Sequence, residues 1–122
     1  MNVAIIGASN QREKFGNKAV RAYVAHGHSV YPVNLRERTI EGLPAFRSIL
    51  DIPVKLDATL MYVPPEVTIK LLSAIARKGP GKLYFNPGSE DDAAIARAGE
   101  LGLEPLLACA IVAIGDRPEN YR

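Results

Sequence analysis

Residues 3 to 9 read Val3-Ala4-Ile5-Ile6-Gly7-Ala8-Ser9. A short aliphatic run ends in glycine and two small residues, and helical patterning resumes near Asn17. The first strand of a doubly wound α/β sheet hands over to its helix in this way when the turn must approach a phosphate closely. Gly7 lets the backbone pass near a ligand, and Ala8 and Ser9 add little bulk. The segment also reads as an ordinary strand-to-helix turn, since the fold alone does not fix function. The rest of the chain has to decide.

Val3–Ile6 is the first of five apolar runs that read as strands; the others are Val30–Val33, Ala58–Val63, Leu83–Phe85 and Pro105–Ala108. The first helix is expected to take Asn17 as N-cap, bury Val20, Tyr23 and Val24, and stop at Gly27. A short helix is expected around Ala45–Leu50. The next opens at Pro65-Glu66, carries Val67, Leu71, Leu72 and Ile75 at helical spacing, and ends at Arg77-Lys78-Gly79. The last opens with Ser89-Glu90-Asp91-Asp92 and closes at Gly102. Strands alternating with helices predict a doubly wound, mostly parallel five-stranded α/β sheet with helices on both faces. The simplest strand order is 3-2-1-4-5, which puts the reversal of winding between the first and fourth strands.

A chain of 122 residues with 48% hydrophobic content predicts one domain over residues 1–122. A net charge of +2 gives no sign of a nucleic-acid surface or a polybasic membrane patch. Cys109 is the only cysteine, so no intrachain disulfide forms, as expected in a reducing compartment. Strand patterning starts at once, which predicts no signal peptide, and no apolar run approaches the ~20 residues that span a bilayer. The expectation is a soluble cytoplasmic protein.

The loops that follow the strands should share one edge of the sheet. They are Gly7-Ala8-Ser9 with Asn10–Gly16, Asn34–Arg38, Val63-Pro64-Pro65, and Asn86-Pro87-Gly88-Ser89. Ser89 would open a helix whose free N–H groups attract an anion. The first loop lacks a full G-x-G-x-x-G fingerprint, and Asn34 stands where NAD-binding domains carry an acid. Arg36 and Arg38 suit a phosphorylated ribose through charge-assisted hydrogen bonds. Local charge does not separate the 3′-phosphate of coenzyme A (CoA) from the 2′-phosphate of NADP. Each loop alone also has a plain structural reading: solvated arginines, a stiff strand exit, a Pro-Gly turn. Four such loops on one edge point to a groove shaped for a nucleotide.

Val3–Ser9, Lys14-Phe15-Gly16-Asn17, Val30-Tyr31-Pro32-Val33-Asn34, Glu41-Gly42-Leu43, Val63-Pro64-Pro65, Phe85-Asn86-Pro87-Gly88 and Cys109 carry a resemblance over nearly the whole chain. Together they resemble the stand-alone CoA-binding domain proteins, related to the N-terminal domain of the succinyl-CoA synthetase α subunit. The resemblance implies a Rossmann-like fold with CoA or acyl-CoA held across the strand ends. It places Gly7, Ala8, Ser9, Asn10, Gln11 and Lys14 at the phosphates, and Asn34 and Arg36 near the adenosine phosphate. Val63 and Pro64 would line the groove, and Asn86, Pro87 and Gly88 would close its far side. Leu35 departs from a frequent proline, and Asn86 from a frequent glutamine.

No catalytic residue is predicted. His26 and His28 read as a helix end and turn remote from the groove, and no Cys/His cluster has metal-ligand spacing. Cys109 falls at the end of the fifth strand, where it could meet a CoA thiol; its apolar neighbours favour a core role. Glu90, Asp91 and Asp92 read as cap and dipole residues. The resemblance also implies that the catalytic histidine of the synthetase lies in another domain. The function expected is therefore non-catalytic CoA binding, regulatory or accessory to a partner. The alternatives are a small NADP-dependent reductase and an interaction module without ligand. The apolar tail Ala110–Ile114 could pack on a second copy.

Overall fold

A computed structural model describes residues 1–122. The chain runs through β1 (Asn2–Ile6), α1 (Phe15–Ala25), β2 (Ser29–Val33), the small hairpin β3 (Thr39–Ile40) and β4 (Leu43–Pro44), then β5 (Ala58–Met61). It continues through α2 (Pro65–Lys78), β6 (Lys82–Phe85), α3 (Asp92–Glu100), β7 (Leu106–Leu107) and α4 (Ala110–Ala113). Short 3₁₀ turns occupy Ile49–Asp51 and Pro118–Asn120.

Five strands form one parallel sheet in the order β2-β1-β5-β6-β7. Val3, Ala4 and Ile5 have no exposed surface, and all four residues of β5 are buried. Parallel strands covered on both faces read as continuous apolar runs, and these two lie side by side in the middle. Their alternate residues feed two cores. Val3 and Ile5 pack with Val20 and Tyr23 of α1 and Ile111 of α4. Ala4 and Ile6 pack with Leu72 and Ile75 of α2 and Ala94 and Ala98 of α3.

The fold class is the expected Rossmann-like α/β sheet, but the strand order is not 3-2-1-4-5. Counted along the chain, the parallel strands lie 2-1-3-4-5, so the third strand is central and the second is an edge. Pro32 supplies the reason. Its carbonyl accepts from Phe46 N–H at 2.9 Å on the side away from β1, and the position of its missing N–H faces outward with it. A proline is tolerated at an edge strand and not between two hydrogen-bonded neighbours.

The helices differ in detail from the pattern reading. Asn17 is not the cap: α1 begins at Phe15 after Lys14, and Asn17 lies buried in its first turn. Val20 and Tyr23 are buried as expected, whereas Val24 is 47% exposed. The short helix expected at Ala45–Leu50 is replaced by β4, a single bridge from Val33 to Phe46, and the turn capped by Ser48. That bridge satisfies backbone groups of β2's outer edge, which a helix would leave unpaired. α2 has the predicted ends: Pro65 in its first turn, Arg77 and Lys78 in its last, and Gly79 after it. α3 takes Asp91, not Ser89, as its N-cap; Ala94 N–H donates to the Asp91 carboxylate at 2.8 Å.

Candidate functional site

In a parallel sheet the carboxyl ends of neighbouring strands meet at one edge, and the crevice opens where the winding reverses. Here that point lies between β1 and β5, not between the first and fourth strands as expected. Gly7, Asn34, Tyr62 and Asn86 follow β1, β2, β5 and β6 directly. Gly7 has φ of +86°, and a Cβ there would collide with the Tyr62 carbonyl. A Cβ on Gly16 would collide with the Gly7 carbonyl, so the first turn of α1 sits against the Gly7 turn. Two glycines far apart in sequence let three backbone segments close on one point.

The side-chain amides of buried Asn17 and half-buried Asn34 hold that junction. Asn17 Nδ2 donates to Ser9 O at 2.8 Å and to Glu41 Oε2 at 3.0 Å, while its Oδ1 accepts from Arg21 Nε at 2.7 Å. Asn34 Nδ2 donates to Ala8 O at 2.9 Å, and its Oδ1 accepts from the N–H groups of Arg36 and Glu37. The carbonyls of Ala8 and Ser9 are thus tied to the protein. The backbone N–H groups of Ala8, Ser9, Phe15 and Gly16 donate no hydrogen bond. Those of Phe15 and Gly16 belong to the first turn of α1, where the helix dipole favours an anion.

A cleft of about 480 Å³ opens over this junction. Of the residues anticipated from sequence, Gly7, Ala8, Ser9, Lys14, Asn34, Val63, Pro64, Pro87 and Gly88 line it. Asn10, Gln11 and Asn86 do not. Asn10 braces the loop from behind, donating to Thr39 O at 2.9 Å and accepting from Glu41 N–H. Gln11 makes the turn into α1 by accepting from Lys14 N–H. Asn86 is buried under Pro87, donating to Met61 O at 3.0 Å and accepting from Ala110 N–H at 2.8 Å. Arg36 stands at an adjoining hollow of about 350 Å³, which shares Gly7, Asn34 and Val63 with the cleft.

Phe15, Gly16, Tyr62 and Ser89 also line the cleft; the first two and Ser89 were expected in the strand-end loops without an assigned ligand contact, and Tyr62 was not expected there. Placing the helix start at Asn17 left Phe15 and Gly16 in a loop, and running the third strand to Val63 hid Tyr62. The collision at Gly16 is a tertiary fact with no local signal. Tyr62 lines the cleft and packs on the α1-side core, where its hydroxyl is buried without a partner. Burial pushes that phenol above its ordinary range, so it stays neutral. Ser89 is buried, its hydroxyl donating to Asn86 O at 2.7 Å, so it shapes the turn and opens no helix.

No acid, histidine or cysteine lines the cleft, and Lys14 there has no ion pair. His28 meets the N-terminal ammonium at 3.3 Å, beside the opposite end of β1; partial burial and that ammonium lower its pKa. His26 pairs with Asp116 at 2.9 Å. Cys109 is half-buried, caps α4 and packs on the α1-side core. No group of three His, Cys, Asp or Glu is arranged to hold a metal. No helix is long and apolar enough to cross a membrane.

Comparison with known proteins gives this geometry a family. The chain is 35% identical over 78 residues to the α subunit of acetate–CoA ligase (ADP-forming) II of Pyrococcus furiosus, a match covering 63% of this chain and 17% of that one. It is 26% identical over 114 residues to a trans-feruloyl-CoA synthase from an unknown prokaryotic organism, covering 92% of this chain and 15% of that one. It therefore spans less than a fifth of the length of these two relatives. A conserved hypothetical protein from Pyrococcus furiosus superposes with a TM-score of 0.84 at 30% identity, covering 92% of this chain and 97% of that one. The model of the CoA binding domain matches residues 1–115. The chain belongs to the CoA binding domain family.

Proposed function

We propose that this chain binds CoA or an acyl-CoA in the strand-end cleft and catalyses no reaction itself, acting as a regulatory or accessory protein. The observation that carries the reading is the pairing of free backbone donors with one unpaired cation. Four unbonded backbone N–H groups border a cleft that Lys14 enters and no carboxylate lines. A diphosphate fits such an edge through hydrogen bonds and the dipole of α1. Gly7, Ala8, Ser9 and Lys14 hold the phosphates, with Asn10 and Gln11 shaping their loop. Asn34 and Arg36 take the nucleotide end. Val63 and Pro64 give the pantetheine arm an apolar wall, and Asn86 supports Pro87 and Gly88 on the far side.

The non-catalytic part rests on the lining. Acyl transfer or ligation needs a nucleophile or a general base beside the thioester, with a partner to tune it. The cleft offers the Ser9 hydroxyl, with no base against it, and the Lys14 amine; the Ser89 hydroxyl is buried on Asn86 O and that of Tyr62 is buried away from solvent. Calorimetric titration with CoA, acetyl-CoA and NADPH tests the reading. CoA and acetyl-CoA are expected to bind at least tenfold more tightly than NADPH. Absence of CoA binding, or a preference for NADPH, overturns it.

A further inference from the structure

We infer that Arg47 is a specificity-determining residue of the hollow beside the cleft, reading the ribose phosphate of a bound nucleotide together with Arg36. This rests on the CoA reading above and adds to it a residue that determines specificity. Arg47 lies 11 residues beyond Arg36, past the β3–β4 hairpin. The bridge from Val33 to Phe46 brings it back beside the end of β2: Asn34 N–H donates to Phe46 O, and Phe46 N–H to Pro32 O, each at 2.9 Å. Arg36 is set by the turn that Asn34 caps. Two guanidinium groups thereby reach one hollow from different segments.

Neither guanidinium has a hydrogen-bond or ion-pair partner in the protein. Glu37, the acid nearest Arg36 in sequence, is engaged by Asn10 instead. No carboxylate lines the hollow. The walls between the cations are apolar: Val33, Val63, Val67 and Leu71, with Leu35 at the rim 73% exposed. An apolar slot of about 350 Å³ with two unpaired arginines suits a flat aromatic base attached to an anion. The hollow adjoins the cleft at Gly7, Asn34 and Val63, so one extended molecule can fill both.

The experiment compares CoA, dephospho-CoA and 4′-phosphopantetheine by calorimetry on the wild type, Arg47→Gln and, as a charge control, Arg77→Gln. Wild type is expected to favour CoA over dephospho-CoA by tenfold or more, the scale of a charge-assisted hydrogen bond. Arg47→Gln is expected to reduce that preference to about threefold or less, with phosphopantetheine binding unchanged and Arg77→Gln behaving as wild type. If Arg47→Gln keeps the full preference, or weakens all three ligands equally, the inference fails while CoA binding stands. If wild type binds neither CoA nor phosphopantetheine, both readings fall. Circular dichroism checks that each variant is folded.

Discussion

Replacing Tyr62 by phenylalanine should stabilise the protein, whereas the same change at Tyr23 should destabilise it. The Tyr62 hydroxyl is buried without a partner, and Tyr23 Oη donates to Ala110 O at 2.6 Å between α1 and α4. An unsatisfied buried polar group costs about 1–3 kcal/mol, and a satisfied hydrogen bond contributes about 1 kcal/mol. Both rings keep their apolar contacts in the phenylalanine variants. Tyr62→Phe is therefore expected to gain about 1 kcal/mol, and Tyr23→Phe to lose about 1–2 kcal/mol because the Ala110 carbonyl is orphaned in turn. With an unfolding entropy near 2.1 cal/mol/K per residue, 1 kcal/mol corresponds to roughly 4 °C in Tm for a chain of this length. The assay is urea unfolding with unchanged m-values, supported by thermal scans. A loss of stability at Tyr62→Phe equal to that at Tyr23→Phe would refute the reasoning, because the Tyr62 hydroxyl would then have a partner in solution.

Burial raises the pKa of both phenols, so their folded values exceed the unfolded value near 10. Below pH 10 both states are protonated and these groups add no pH dependence; above it only the unfolded chain ionises, and stability should fall as pH rises. Ultraviolet titration should show Tyr23 and Tyr62 ionising only with unfolding, and free titration near pH 10 would contradict their burial. Gly16→Ala should cost more than about 2 kcal/mol by forcing a Cβ onto the Gly7 carbonyl, whereas Gly99→Ala, facing open space in α3, should gain up to about 1 kcal/mol. Equal denaturant midpoints for the two variants would count against the close approach at Gly16. Arg21 Nη2 donates to Arg12 O at 2.9 Å and Tyr121 O at 2.7 Å, and Arg21 also holds Asn17, so Arg21→Met should loosen the Asn10–Lys14 loop and the tail together. Hydrogen exchange should rise in both segments, and an effect confined to the tail would refute that link. Hydrogen bonds from Tyr121, Asn120 and Arg117 N–H hold Asp116 well below the usual carboxylate range. Stability from this contact is present above about pH 4 and lost as pH falls through the folded value, and Asp116→Asn should flatten that limb of the acid unfolding curve.

Continuous aliphatic strands, the Pro65 start of α2 and its Gly79 stop follow from periodicity and backbone chemistry within a few residues, and they sufficed for the α/β class. Pro32 also carried a legible sign of an edge strand, and the simplest winding order overlooked it. Strand neighbours are otherwise a long-range choice: the third strand reaches the centre because β1 and β5 are both covered on two faces.

The candidate site divides the same way. Gly7, Ala8 and Ser9 announce a close backbone approach, and Pro87-Gly88 a turn of positive φ, through residue type alone. Which polar residues face the cleft was settled only by folding. Asn10, Asn17 and Asn86 spend their amides on backbone and side-chain groups of the protein, and nothing in their local sequence distinguishes that use from ligand contact. Arg47 joins Arg36 through a single bridge at the edge of β2, a pairing between residues too far apart for any periodicity to register. The sequence alone determined the five parallel strands, the three main helices to within a few residues and the glycine turn, because those depend on side-chain pattern and backbone freedom. Tertiary structure decided the strand order and the membership of the site, because both depend on which distant backbone groups satisfy each other.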